Sequence, residues 1–363
     1  MICAEAILLT PVGERLFLAD FSLFCRPVLD GIGFFELQIF TEIEEKFTQT
    51  CTQLIVTYND TDNGISRRLF SGFLVGRTEY PANGSLYVTY FGNSLNAMLK
   101  NAAVCYPSGT AFCDKSGPAD AVLTAYVAEN IGQSIVGSQR DDAYNAALGL
   151  MAGQKLTTLP PVGVASAWSG SRHGKTLLEI AQGISAGYSV DFSVDGDYIN
   201  GFVFQTFYPR YGRLLTTPFS ECLQNLAVRK FSDNHLNKSH VVHAYGAGVG
   251  TARLVVSVAS PDYNLVPVQC RNEIYFEDTQ QTSLSSLQTR ATEEIALRQQ
   301  TVKAEFDFTE TDALVFGRDL WIGDEFTFSY RGIAYQYQLI EMPFTLERGE
   351  IFWSDFVYRS KTI

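Results

Sequence analysis

Charge is scarce in this chain. Only 18% of its 363 residues are Asp, Glu, Lys or Arg, and 39 acidic residues outweigh 27 basic ones for a formal net charge of −12. The Lys and Arg residues form no cluster, which excludes the basic footprint that a nucleic-acid-binding protein uses to hold phosphates. So little charge also solvates a free monomer poorly and implies a surface partly covered by partners. Cysteines are few and far apart: Cys3, Cys25, Cys51, Cys105, Cys113, Cys222 and Cys270. Their number is odd and no pair has C-x-x-C spacing, so free thiols are expected, with neither a disulfide framework nor a zinc site. Among the histidines (His173, His235, His240 and His243), the cluster at 235–243 falls in a stretch that reads as strand, and it is read as structural rather than metal-binding. No apolar run reaches the roughly 18 residues needed to cross a bilayer. The opening MICAEAILLTPVGERLF has no basic lead, so no signal peptide is expected.

Aromatic residues are abundant instead, at 13%, with 26 Phe and 18 Tyr. Such side chains pack well on a pleated face, which favours strands. Residues 1–104 read as short strands between turns: Leu16 to Phe24, then FFELQIF after Gly31-Ile32-Gly33, then Gln53–Tyr58, Arg68–Tyr80 and Ser85–Phe91. The turns Asn59–Gly64 and Pro81–Gly84 between strand-length runs argue for an antiparallel meander or barrel. Residues 105–186 differ: Ala119–Ile131 is alanine-rich and helical in pattern, 132–161 reads as a long loop or insertion, and Leu177–Ile184 suits a helix. From 187 the pattern returns to strands, with Tyr188–Val194 alternating and Asp195-Gly196-Asp197 as the next turn. The fold class is therefore mainly β with some α.

Three stretches invite a site, and none qualifies. Gly174-Lys175-Thr176 opens a helix like a phosphate-binding loop, but the first glycine of that motif is Ser169 here. The expected reading is a helix start with Thr176 near its N-cap. Asn59–Gly64 alternates acidic residues like a calcium loop, yet Ser71 stands where the bidentate Glu belongs. Gly246–Gly250 joins two β-rich runs, so it lacks the following helix of a dinucleotide site and reads as a sheet corner. No Ser-His-Asp or Cys-His arrangement stands out, and no catalytic, cofactor-binding or metal-binding residue is assigned.

The stretch Cys270–Glu341 has the most organised pattern. Ile274 and Phe276 mark a strand; Thr282 or Ser283 caps a helix over 283–300 whose apolar stripe is Leu284, Leu287, Ala291 and Ile295. Val302, Ala304, Phe306 and Phe308 share a strand face, and Gly323-Asp324 turns into a hairpin closed at Arg331-Gly332. This order of pieces, with Arg271, Glu273, Asp278 and GRDLWIGDEFTF, resembles the C-terminal block of the tail baseplate hubs of long-tailed bacteriophages. Those hubs are related in fold to hubs of contractile tails and of type VI secretion spikes. LADFSLFCRPVLDGIGFFELQIF and FGNSLNAMLKNAAVCYP are similar to the family's first half. So are Tyr211-Gly212-Arg213, Asn225-Leu226, Asp233–Asn237, Val241–Tyr245 and the Gly-rich corner Gly246–Arg253 to its second.

The resemblance covers most of the chain except roughly 132–165. It implies a homotrimeric hub at the distal end of a virion tail, with two tube-like antiparallel β-barrel domains per subunit and helical connecting segments. On that reading 1–104 is the first tube-like unit, 105–186 connects, and 187–363 is the second. The implied partners are copies of itself, the tail tube or distal tail protein, the tape-measure protein and a tip or spike protein, with DNA only in transit. The alternatives are a carbohydrate- or receptor-binding β-protein of a tail tip, a hub of a tail-derived injection system, or a peptidoglycan hydrolase. Alkylation of the denatured chain without reductant should count seven thiols by intact mass; a shortfall of two or more would show disulfides or a bound metal.

Overall fold

The computed structural model describes residues 2–41, 43–82, 85–104, 113–132, 156–172, 174–216, 219, 225–234, 238–298, 301–311, 314–331 and 333–361. The first strands are β1 (Ile2–Leu9), β2 (Arg15–Phe17), β3 (Phe21–Arg26), β4 (Phe34–Ile39), β5 (Gln53–Asp60), β6 (Ile65–Ala82) and β7 (Ser85–Ser94). The middle carries α1 (Ala97–Lys100), β8 (Asp114–Pro118), α2 (Ala119–Asn130), β9 (Leu156–Thr158), β10 (Ala167–Ser171) and α3 (Leu177–Tyr188). Then come β11 (Asp191–Asp197), β12 (Gly201–Phe207), β13 (Leu226–Asn234), β14 (Val241–Tyr245), β15 (Val255–Ala259), β16 (Glu273–Glu277) and α4 (Leu284–Leu297). The chain finishes with β17 (Thr301–Phe308), β18 (Glu325–Tyr330), β19 (Ile333–Glu341), β20 (Phe344–Glu347), β21 (Glu350–Trp353) and β22 (Val357–Lys361).

The first sheet runs β2-β1-β5-β6-β7-β4-β3-β20-β21. Its alternation puts Leu8, Leu23, Phe35, Leu37, Leu54 and Val56 on one buried face. The sheet curls into a half-barrel. Its two ends approach where the Ala4 N–H of β1 donates to Gly349 O, in the β20–β21 turn, at 3.3 Å. Curling requires β6 and β7 to press together. At Gly92 a Cβ would sit 2.0 Å from Phe73 O, so only glycine fits that crossing. Of the antiparallel meander or barrel that the spacing of turns suggests, β5-β6-β7 is a meander within this curled sheet, while β1 pairs β5 and the C-terminal hairpin β20–β21 extends the sheet next to β3. Sequence alternation sets which face is buried, but not which strand lies beside which.

The last strands form a second β-unit. β18-β19-β22 is one sheet, β13 pairs β17 with a bulge at Val228/Lys230, and Leu214 and Phe219 bridge to β18. Phe306 sits in their shared core, its ring 5.2–6.2 Å from those of Phe308, Phe326, Phe328, Tyr337 and Tyr358. Between the two units lies a helical core of α2 and α3 against β8–β10 and β9-β12-β11, filled by Leu123, Tyr126, Trp168, Leu177, Phe192 and Phe204. A small sheet, β15-β14-β16, carries α4 on one face through Val242, Ala244, Leu287, Ala291 and Ile295.

Several boundaries differ from the sequence reading. Leu16–Phe24 is two strands, β2 and β3, split around Leu18–Asp20. Helix α3 runs on to Tyr188 and ends at Ser189 in the left-handed region (φ 54), so the strand starts at Asp191 rather than Tyr188. Strand β11 continues through Asp195-Gly196-Asp197. The turn comes after it, because the Asp197 carboxylate accepts from the N–H groups of Ile199 and Asn200. Helix α4 stops at Leu297, short of 300, and Leu284 is 55% exposed: the stripe is covered only from Leu287 on. The 270–341 stretch has the expected element order, yet its pieces serve three different sheets. Most of the 132–161 loop, with Asn83, Gly84, Gly332, His173, His235, Cys105 and Cys222, lies outside the described residues; Cys3, Cys25, Cys51 and Cys270 are free thiols.

Replacing Phe306 by Ala should destabilise the chain by about 3–5 kcal/mol, the range for emptying a buried aromatic site. A urea midpoint unchanged from wild type would show that the aromatic core does not carry the second unit.

Candidate functional site

The stretches that invited a site are turns, caps and strands. Thr176 is the N-cap of α3: its Oγ1 accepts from Glu179 N at 3.2 Å, and its N–H donates to Glu179 Oε2 at 2.8 Å. The helix N-terminus thus holds its own carboxylate, and those bonds lower the Glu179 pKa. The strand leading to this turn, β10, is antiparallel to β8, unlike the parallel strand before a phosphate loop. β5 runs on through Asp60, so the turn is Thr61–Gly64 rather than Asn59–Gly64; Asp60 accepts from Asn63 Nδ2 at 2.7 Å, while Ser71 lies in β6 and its Oγ accepts from Gln53 Nε2 at 2.8 Å. His240 Nδ1 accepts from Asn272 N, and His243 contacts Ser257 and Glu273. No group of three or more His, Cys, Asp or Glu able to hold a metal occurs among the described residues.

The polar chemistry is concentrated at joints between distant segments. Asp30, in the turn after β3, is buried. Its Oδ1 accepts from Phe192 N at 2.9 Å and its Oδ2 from Ser185 Oγ at 2.8 Å. Arg359 of β22 lies 3.3 Å from both Asp30 Oδ2 and Asp191 Oδ1, and Gln338 of β19 donates to Asp191 Oδ2 at 2.7 Å. Burial and the adjacent Asp191 charge push the Asp30 pKa up from 3.8 to about 7, against the pull of Arg359 and the Phe192 N–H. A second joint centres on Glu293 of α4. It accepts from Trp168 Nε1 at 2.6 Å and pairs with Arg172 Nη2 at 2.5 Å, all three side chains buried. Helix α3 comes close enough because Gly187 faces it: a Cβ there would stand 3.3 Å from Glu293 Cγ. A third joins Arg68 of β6 to Asp195 and Asp197 of β11 at 2.6 and 3.1 Å. The sequence marks none of these residues; an isolated Asp, Glu or Arg carries no local pattern, and the one available signal is the spacing of Gly183 and Gly187, which face Glu293.

Outward, the structure offers sheet edges and one arm. β6 pairs β5 only as far as Phe73, and β7 pairs β4 only over Thr89–Asn93, so among the described residues the far half of the β6–β7 hairpin has no further strand beside it, although Gln38 donates to Tyr80 and Val88 packs on the core. Val75, Tyr80 and Phe91 are exposed along this hairpin. Isolated pairs of strands are marginal in water without a covering surface.

A model of the Siphovirus ReqiPepy6 Gp37-like protein family matches residues 33–354. The chain belongs to this family. A prophage tail protein, gp18 of Listeria monocytogenes EGD-e, superimposes with a TM-score of 0.56 at 11% identity, covering 99% of this chain and 94% of that one. The tail protein of Neisseria meningitidis MC58 gives 0.54 at 12%, covering 99% and 96%. The 43 kDa tail protein of prophage MuSo2 from Shewanella oneidensis gives 0.54 at 11%, covering 98% of both. At these identities the likeness is one of fold. A search of curated proteins finds no match.

The raised pKa of Asp30 has a definite sign. Between about pH 4 and 7 the folded chain holds a proton there that the unfolded chain releases, so this contribution to stability falls as pH rises through that window. Asp30→Asn should remove that slope. Thermal melts across the window should show the wild type losing stability relative to the variant with rising pH; parallel curves would refute the assignment.

Proposed function

We propose that the protein is the hub of a phage tail tip, a homotrimer that joins the six-fold tail tube to a three-fold tip and forms part of the genome-ejection channel. The observation that carries this reading is the pair of β-units in one chain, a curled half-barrel sheet and an aromatic-cored second unit, braced by a helical middle. We read them as two tube-like barrel domains, 1–104 and 187–363 flanking 105–186, with the hairpin 344–353 returned to the first. Three copies would place six such units around one axis, and a closed ring leaves no sheet edge open to aggregation. The role is mechanical rather than catalytic.

The β6–β7 arm and the sheet edges supply the surfaces for neighbours: the tail tube or distal tail protein on one side, a tip or spike protein on the other. The tape-measure protein and DNA pass only through the channel. A net charge of −12 suits a lumen that releases phosphate rather than binding it. The ring would sit at the distal end of the virion tail.

Light scattering coupled to size exclusion should report three chain masses, and class averages should show a ring of six similar lobes around a channel. A monomer at every soluble concentration, or lobes without a shared channel, would overturn the hub. A channel lined with Lys and Arg would leave the hub standing and remove the electrostatic argument.

A further inference from the structure

Strand β21 ends the first sheet and has one neighbour. The Arg348-Gly349 turn that leads into it has both φ values positive, 51 and 83, the two-residue geometry in which the flanking pair Glu347 and Glu350 exchange hydrogen bonds. Alternation then gives Phe352 to β20 as well, and the Ser354 N–H to Pro343 O bond of 3.0 Å continues the series. The N–H and C=O of Ile351 and Trp353 therefore point to the open side. β1 runs near β21, but among the described residues its hydrogen bond to this edge is the one from the Ala4 N–H to Gly349 O at the turn.

A cleft of about 570 Å³ lies along that open side, within the ~300–1,000 Å³ of binding clefts. Phe316, Ile351, Phe352 and Trp353 give it apolar walls. Phe352 is 52% exposed. Glu310 and Glu350 also line it, and neither has an ion-pair partner among the described residues. Tyr58 closes it from β5. That side chain is 1% exposed, and its hydroxyl is buried with no hydrogen-bond partner among the described residues. The Glu310 carboxylate accepts from the Phe316 N–H at 2.8 Å, and Glu350 is exposed. An open strand edge, an apolar cleft, two carboxylates without an ion-pair partner among the described residues and an unsatisfied hydroxyl meet at one place.

We propose that this edge takes an extended, basic segment of another protein as an added β-strand. Main-chain bonds to Ile351 and Trp353 would align the segment. An apolar side chain would enter the cleft, and a polar group beside it would reach the Tyr58 hydroxyl. Lys or Arg at alternating positions would face Glu310 and Glu350. The acidity of the two glutamates, in a chain that is itself acidic, favours a basic partner over a second copy. The inference does not depend on the ring.

The test uses a fluorescein-labelled peptide, acetyl-Lys-Val-Lys-Phe-Lys-Val-Lys-amide, titrated with the full chain and followed by anisotropy. Two controls carry the argument: the same peptide with Glu for Lys, and the same peptide with alternate backbone nitrogens methylated, which keeps charge and side chains and removes the strand-forming N–H groups. The Lys peptide should saturate, and each control should bind about tenfold more weakly, the scale of one or two lost net hydrogen bonds or charge contacts. Glu350→Lys, on an exposed position, should weaken the Lys peptide and strengthen the Glu peptide. Absence of binding, equal binding of the methylated peptide, or indifference to Glu350→Lys would each overturn the proposal.

Discussion

One guanidinium reconciles two buried carboxylates. Arg359, from a strand near the end of the chain, lies 3.3 Å from Asp30 and from Asp191, and those two residues also fix Ser185 of α3, the Phe192 N–H of β11 and Gln338 of β19. Two like charges do not persist out of water without a cation or a shared proton. This site therefore holds only when the first sheet, the helical middle and the second β-unit are all in place at once. It acts as a registration mark, satisfied by one relative arrangement of the three parts.

The scarcity of charge acquires a meaning here. The Glu293–Arg172 pair bolts α4 to β10, and Arg68 ties β6 to β11. Arg213 Nη2 sits 2.9 Å from Asp324, linking the turn after β12 to the start of β18. The Glu293–Arg172 pair is buried on both sides, and such a pair adds little net stability compared with apolar packing but penalises wrong docking, since one misplaced partner leaves the other unpaired. What these pairs supply is a fixed angle between parts rather than a larger core.

The sequence carried the local structure and not the assembly. Alternation in FFELQIF and Gln53–Tyr58 was enough for strand β4 and all but the last two residues of β5, and Thr176 and the Thr282-Ser283 pair were readable as caps because a hydroxyl before an apolar run has few other uses. Tyr188 was misread because aromatic residues fit a helix end and a strand start alike, and the left-handed residue that decides, Ser189, is not a glycine. The parallel pairing of β14 with β16 left no trace, since a five-residue strand reads the same whichever neighbour it takes. The joints were invisible for the same reason: Asp30 and Asp191 meet through the fold, while a motif search sees only spacing. The family likeness was legible because it rests on element order, which survives when sequence identity has fallen to 11%.

The hairpin β20–β21 also has a consequence in time. Ser22 and Glu347, 325 residues apart, lie in neighbouring strands of one sheet. Ribosomal synthesis presents the first strands long before their last neighbours exist, so β3 emerges with an unfilled edge and waits for nearly the whole chain. Completion of the first sheet is thus a report that the second unit has been made. A chain cut short before β20 leaves β3 without its second neighbour, Ser22 without Glu347, and the sheet two strands short.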